Sequence, residues 1–407
     1  MTTQRDAIRN AIEPTVNAGE LAGAAALIWK ADTATTSCVG WRDVDARLPV
    51  ERDTLFRIGS MSKPITSVAA LMLLEDGRLA LDDPIARWAP EFSAMRVLRS
   101  PTSALDDTVP AEKPITIDDL LTHRSGLTYG AFHPGPLEHA FDEALGGDID
   151  SGVTPDDWIA ALATLPLIDH PGAAFHYGHS TDLLGLLIAR IENAPLGEVL
   201  ERRIFRPLGM TDTAFIVPRD KRHRRSKMYG FNDAEALVER SALKAFVEER
   251  PDDMAFASGG QGLWSTLDDY LRFARMFVGG GVVDGVRVLG EDTLRLMTTN
   301  RLTDVQRTNA RLLGLPLFGA HGFGLGVAVV LDPERAAPTR CRGNVGTVGW
   351  PGAYGGWWQA DPIDRSVLVF LAHNSFELDQ FAKAIGLGVY SAITRFHAVA
   401  TSGVGVS

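Results

Sequence analysis

Ser60-Met61-Ser62-Lys63 sets a hydroxyl and an amine three residues apart. On a helix, positions i and i+3 share a face, so the Ser60 and Lys63 side chains can meet. A serine hydroxyl is a weak nucleophile and needs a base. A lysine serves as that base only when burial or nearby positive charge disfavours its ammonium form. The helix opening at this point adds backbone N–H groups and a positive end, which favour an alkoxide or oxyanion. Pro64 is tolerated because the first turn has no N–H partner to lose. The ordinary alternative is a capping serine beside a solvated lysine.

The elements that must position this pair are legible in part. Residues 62–75 form a largely apolar helical run that stops at Gly77, a natural C-cap. Residues 7–18 carry apolar positions at helical spacing. Residues 21–30 and 36–42 read as a strand and its hairpin partner. Residues 93–114 and 132–156, rich in Gly, Pro, Ser, Thr and Asp, read as long loops. Thr116-Ile117-Asp118-Asp119 resembles a capping box opening a short helix. Helices are predicted over 155–164, 181–193, 197–205 and 266–278, then strands over 323–331, 343–348, 355–359 and 366–374, and a last helix over 378–393. Strands at both ends with helices between predict an α/β domain from residues 1–85 and 280–407, holding an inserted, mainly helical domain at 86–279.

Composition narrows the class. The 407 residues are 45% hydrophobic and 22% charged, which suits a folded soluble chain. The net charge of −11 argues against nucleic acid or an anionic membrane as partner. No apolar run approaches the roughly 20 residues of a membrane span. Residues 1–6 lack the apolar core of a secretory signal, so a cytoplasmic address is expected, with Cys38 and Cys341 as thiols rather than a disulfide. The basic stretch from Arg219 to Lys227 is read as a solvated face. There is no phosphate-loop or dinucleotide fingerprint and no H-E-x-x-H, so no cofactor or metal is expected, and no serine sits in G-x-S-x-G, so the α/β-hydrolase elbow is missing.

Six blocks, in order, give the chain a resemblance. Leu55-Phe56-Arg57-Ile58-Gly59-Ser60-Met61-Ser62-Lys63 resembles the nucleophile segment of class C β-lactamases and the related family VIII carboxylesterases. Leu120-Leu121-Thr122-His123-Arg124-Ser125-Gly126-Leu127 resembles their L-L-T-H-T-S-G-L segment, and Tyr177-Gly178-His179 their Y-x-N block. Pro207-Leu208-Gly209-Met210-Thr211-Asp212-Thr213 and Ser258-Gly259-Gly260-Gln261-Gly262-Leu263 resemble two further blocks. Gly349-Trp350-Pro351-Gly352-Ala353 falls where β-lactamases carry K-T-G and the esterases often carry W-G-G. The resemblance implies the β-lactamase/transpeptidase-like fold, an antiparallel sheet flanked by helices.

The resemblance also implies roles. Ser60 would be acylated, with Lys63 and Tyr177 sharing the proton work. A tyrosine, with a pKa of about 10, becomes a usable base only beside a cation such as Lys63. The oxyanion hole would be the N–H groups of Ser60 and Ala353, with Gly352 letting backbone approach the acyl group. His179 replaces the usual asparagine; a polar contact, a pH effect and simple space-filling are all open to it. Trp350 and Pro351 replace the Lys and Thr of K-T-G, exchanging an ammonium for an apolar wall, which favours neutral esters over anionic β-lactams. Tyr129 suits either the acyl pocket or core packing. The expected activity is hydrolysis of short carboxylic esters, with weak β-lactam turnover at most. The alternatives are a β-lactamase or D-amino-acid peptidase, an acyltransferase, and an inactive binding scaffold. The sequence leaves the oligomeric state open.

Overall fold

The computed structural model describes residues 3–133, 135–147, 149–240, 254–312, 314–336, 341–375, 380 and 383–401. Strand β1 (Gly23–Lys30) is its spine. Its sequence, Gly-Ala-Ala-Ala-Leu-Ile-Trp-Lys, is apolar on both faces, as a strand covered on both sides must be. Ala24, Ala26 and Ile28 meet helix α1 (Gln4–Asn17) and the C-terminal helix Gly388–Thr401 through Ile8, Ile12, Val389, Ile393 and Phe396. Ala25, Leu27 and Trp29, on the other face, join the larger core that includes helix α2 (Ser62–Glu75).

On one side β1 pairs with β2 (Thr33–Asp43), Ala25 opposite Cys38, and β2 leads to a two-residue edge strand β3 (Leu48–Pro49). The other five strands come from the far end of the chain: β4 (His321–Phe323), β5 (Ala328–Val330), β6 (Val348–Pro351), β7 (Trp357–Asp361) and β8 (Ser366–Ala372). The order is β4-β5-β6-β7-β8-β1-β2-β3, and every pairing is antiparallel. This is the fold the sequence blocks implied. Helices α3 (Ser180–Glu192) and α4 (Leu267–Val278) complete the frame, with α4 lying against β1, β7 and β8.

Helix α2 is buried almost throughout its first ten residues, so its N-terminus is fixed by packing on every side. The segment 258–263 clamps that end. Thr66 Oγ1 donates to the Gly259 carbonyl, Leu263 N–H donates to Ser62 Oγ, and Ile58 N–H donates to the Leu263 carbonyl. The Tyr270 hydroxyl of α4 donates to the Met61 carbonyl.

The long loops carry more structure than expected. Residues 132–156 contain a helix, Pro136–Leu145, whose Leu137, Phe141 and Leu145 bury one face at four-residue spacing. Residues 93–114 contain a short hairpin of Arg96–Leu98 with Thr108–Pro110. The expected strand 323–331 is two strands, β4 and β5, broken by a turn with Gly326 at φ +89°. Of the expected last helix, residues 378, 379, 381 and 382 lie outside the described residues, and the helix that is described starts ten residues later.

Candidate active site

Ser60 lies in a tight turn, Gly59–Met61, immediately before α2, and makes no side-chain cap; the cap position falls to Met61. Lys63 is 1% exposed, so the capping serine with a solvated lysine is excluded. Gly59 has φ +53°, a conformation costly to any residue with a Cβ. This turn presses against the end of β6. A methyl on Gly352 would fall 2.5 Å from the Ile58 carbonyl oxygen, and one on Gly59 would fall 3.1 Å from Ala353 N. The backbone of Ala353 is thereby set beside the turn that carries Ser60.

Three oxygens surround the Lys63 amine. Nζ lies 3.1 Å from the Tyr129 hydroxyl, 3.1 Å from the Gly260 carbonyl and 3.5 Å from Ser60 Oγ. It also sits 4.6 Å from the centroid of the Tyr177 ring. The Tyr177 oxygen accepts a 3.0 Å hydrogen bond from Trp350 Nε1–H. So Ser60, Lys63, Tyr177, Tyr129 and Trp350 converge from four parts of the chain. Trp350 does more than wall the site, because its one polar atom is spent on Tyr177.

Behind this layer lies a residue the sequence reading missed. Asp182, on the first turn of α3, is fully buried. Its Oδ2 accepts from the Tyr129 hydroxyl and faces His179 Nδ1, each at 3.3 Å. Its Oδ1 accepts from Gly260 N–H at 2.9 Å and from the Ser258 hydroxyl. Burial pushes this carboxyl up, but the His179 hydrogen bond and charge, the Lys63 charge and the Ser258 hydroxyl outweigh it. It is held below the ordinary carboxylate range. The available signal was an acid inside an apolar helix, five residues after Tyr177.

His179 is fully buried, with its ring edge-on to Tyr129 at 4.5 Å and packed on Phe141 and Trp158. It contacts Asp182, behind Tyr129. His123 packs on Tyr177 at 4.8 Å and accepts from Gly178 N–H at Nδ1. Burial, with help from the Lys63 charge, pushes its pKa well below the ordinary value, so it is a neutral ring.

Around Tyr177 and Trp350 runs an apolar wall of Phe175, Phe318, Phe323 and Leu317, with Phe132 stacked on Tyr177. The groove of about 700 Å³ lined by Lys113, Asp118, Asp119, Arg124, His170 and Arg301 contains none of these residues. Its charges are paired internally, Arg301 on Asp118 and Lys113 on Asp119. The basic stretch is also paired: Lys221 and Arg224 meet Asp212, and Lys227 meets Glu239. Cys38 and Cys341 are free thiols, Cys38 pushed up to about 11 by burial. Among the described residues, no cluster could hold a metal ion and no helix is long and apolar enough to cross a membrane.

A serine turn, a buried lysine and a loop tyrosine gathered beside this antiparallel sheet define a class, and comparison places the chain in it. Residues 8–387 match the Beta-lactamase family, and the chain belongs to that family. It is 44% identical over 384 residues to protein Rv1367c of Mycobacterium tuberculosis, covering 94% of this chain and 93% of that one. It is 29% identical over 352 residues to esterase EstB of Burkholderia gladioli, covering 83% and 82%. The solved structure of EstCE1, described as a hydrolase with promiscuous acyltransferase activity, superposes with a TM-score of 0.75 at 27% identity, over 95% of this chain and 98% of that one.

Proposed function

We propose that this chain is a serine carboxylesterase that cleaves short, neutral esters through an acyl-enzyme on Ser60. The observation that carries the reading is the convergence of Lys63 and Ser60 at 3.5 Å beside Tyr177. The Ser60 proton passes to the Lys63–Tyr177 pair as Oγ attacks the ester carbonyl. The negative charge that develops on the carbonyl oxygen is received by the N–H groups of Ser60 and Ala353. The proton then goes to the departing alcohol, and water attacks the acyl-enzyme with the same pair as base. Lys63 Nζ lies 4.6 Å from the Tyr177 ring centroid, so the two act on one proton and neither alone is named the base.

Trp350 favours esters over β-lactams. A β-lactam carboxylate would gain a charge-assisted bond from a lysine at this position, worth roughly 1.5–3 kcal/mol. The Trp350 N–H is engaged with Tyr177. EstB, an esterase, supports hydrolysis, and the acyltransferase activity of EstCE1 keeps transfer to an alcohol as the second reading. The division at residues 85/86 and 279/280 and a cytoplasmic address belong to the same proposal.

The test is covalent labelling with a serine-directed phosphonate beside a panel of p-nitrophenyl esters. Intact mass should show one adduct, on Ser60, and Ser60→Ala should lose both adduct and esterase activity. An adduct on Ser62, or activity surviving Ser60→Ala, would refute the nucleophile assignment. Ser62 is fully buried and bonded to Leu263.

A further inference from the structure

We infer that Asp182 is the positioning residue that aims Lys63 at Ser60. The inference rests on the serine-hydrolase reading above and adds a residue to it. Each carboxylate oxygen of Asp182 holds one of the two groups that fix the Lys63 amine.

The argument follows from which groups can donate. An ionised carboxylate only accepts, so the single proton of the Tyr129 hydroxyl is committed to Asp182 Oδ2. The Tyr129 oxygen can then only accept from Lys63 Nζ, 3.1 Å away. The Gly260 peptide is held from its other side, its N–H donating to Oδ1 at 2.9 Å, while its carbonyl accepts from Nζ at 3.1 Å. A carbonyl cannot donate. Two of the four tetrahedral positions on Nζ are thus filled by N–H bonds with fixed acceptors, and a third is the bond to Cε. The fourth faces Ser60 Oγ at 3.5 Å. In the free amine that position is the lone pair; in the ammonium it is the N–H formed from the Ser60 proton. The step is balanced: Oγ–H breaks, Nζ–H forms, and the oxygen electron pair goes to the substrate carbonyl. Without Asp182, the Tyr129 hydroxyl could turn and donate to the Lys63 lone pair, which would withdraw it from Ser60.

Asp182 also biases the proton. Its buried carboxylate stands one hydroxyl away from the Lys63 amine, so its charge acts on the proton that the step moves. The charged or titratable groups facing Asp182 are Tyr129, whose hydroxyl donates to it, Lys63 from α2, His179 beside it and His123 from the loop after residue 121.

The experiment compares Asp182→Asn and Tyr129→Phe with the unmodified protein, using p-nitrophenyl acetate and the phosphonate across pH. For Asp182→Asn, kcat should fall about 100-fold, the scale of a misplaced reacting group, with KM within about threefold. The acidic limb of kcat/KM should move to lower pH, because a buried negative charge is gone from the site. A residue that merely held the fold together would lower the plateau without moving the limb. Tyr129→Phe removes the hydroxyl while keeping the ring, and should lower kcat in the same way. It decides the matter should Asp182→Asn fail to fold. Asp182→Asn with an unmoved limb, or both variants within threefold of the unmodified kcat, would overturn the inference while Ser60 labelling stood. Absence of Ser60 labelling in the unmodified protein would instead remove the hydrolase reading beneath it.

Discussion

The indole N–H of Trp350 donates to the Tyr177 hydroxyl oxygen at 3.0 Å, from a strand position where class C β-lactamases carry the lysine of K-T-G. The bond leaves the Tyr177 oxygen accepting, with the Lys63 ammonium or amine over its ring. Trp350 therefore spends its one polar atom on Tyr177 and has no charge to offer a substrate.

That relationship gives the first prediction. The rate of p-nitrophenyl acetate or butyrate hydrolysis, as kcat/KM, should exceed that of nitrocefin by at least about 100-fold. Trp350→Lys should narrow the gap. Trp350→Phe, which keeps the apolar wall and loses the N–H, should lower kcat by about 10-fold, the worth of one hydrogen bond of roughly 1.5 kcal/mol. Nitrocefin turnover matching the esters in the unmodified protein would promote the β-lactamase alternative.

Lys63→Ala and Tyr177→Phe should each reduce kcat by more than about 100-fold, the usual scale for losing general acid–base help. The double variant should be little worse than either single one, because groups that act as a unit lose their effect together. Multiplicative losses would mean that the two act independently.

Much of this site was legible because its signals are local. The Ser60–Lys63 spacing, the apolar run behind it and Gly77 fixed the nucleophile helix to the residue. The blocks around Tyr177 and Gly352 were read by resemblance, and the sheet brings them to Ser60. What was missed is non-local. Asp182 looked like one acid in a helix; its partners lie at Tyr129, His179, Ser258 and Gly260, and no spacing relates them. The helix Pro136–Leu145 was hidden by flanking Gly and Asp, although Pro136 suits a first turn and Gly146 ends it in the left-handed conformation.

Gly352→Ala tests the junction between nucleophile turn and β6. The added methyl meets backbone, the Ile58 carbonyl at 2.5 Å, so it cannot be relieved by a side-chain rotation. Overpacking of this kind costs about 1–3 kcal/mol, and here it would push Ala353 N–H away from the oxyanion position. Activity should fall by at least about 100-fold, as when one oxyanion donor is lost, while the thermal midpoint drops only modestly. Full activity in a folded Gly352→Ala protein would remove Ala353 from the oxyanion hole.

Arg57 and Asp150 form a two-pronged ion pair at 2.7 and 2.8 Å with both side chains fully buried. Arg57 lies three residues before Ser60, and Asp150 lies in the segment between the helices Pro136–Leu145 and Pro155–Thr164. Asp150→Asn leaves a buried guanidinium without its counter-charge, a loss of about 3–5 kcal/mol. The denaturant midpoint should fall accordingly, and Arg57→Met with Asp150→Leu together should recover much of it. A double variant no more stable than Asp150→Asn would show that the pair itself, and not the uncompensated charge, supplies the stability.

Three buried histidines and the half-buried His133 set the acid limit of stability. His373 is pushed down to about 3 by burial, with the nearby Arg57 and Arg225 charges adding to it, and His133 to about 4 by burial and the His176 charge. His123 and His397 are lowered by burial as well. Each is neutral in the fold but takes a proton near pH 6.5 once unfolded. Between about pH 4 and 6.5 the unfolded chain therefore binds more protons than the folded one, so stability rises with pH across that window and is complete above it. Each histidine contributes a slope of up to about 1.4 kcal/mol per pH unit. Urea unfolding at pH 4.5, 5.5, 6.5 and 7.5 should show falling stability from 6.5 downward and little change above. His373→Gln should flatten that slope by about one proton, because Gln keeps a donor for the Ser226 carbonyl and cannot be charged. An unchanged slope in that variant would mean that His373 takes its proton without unfolding.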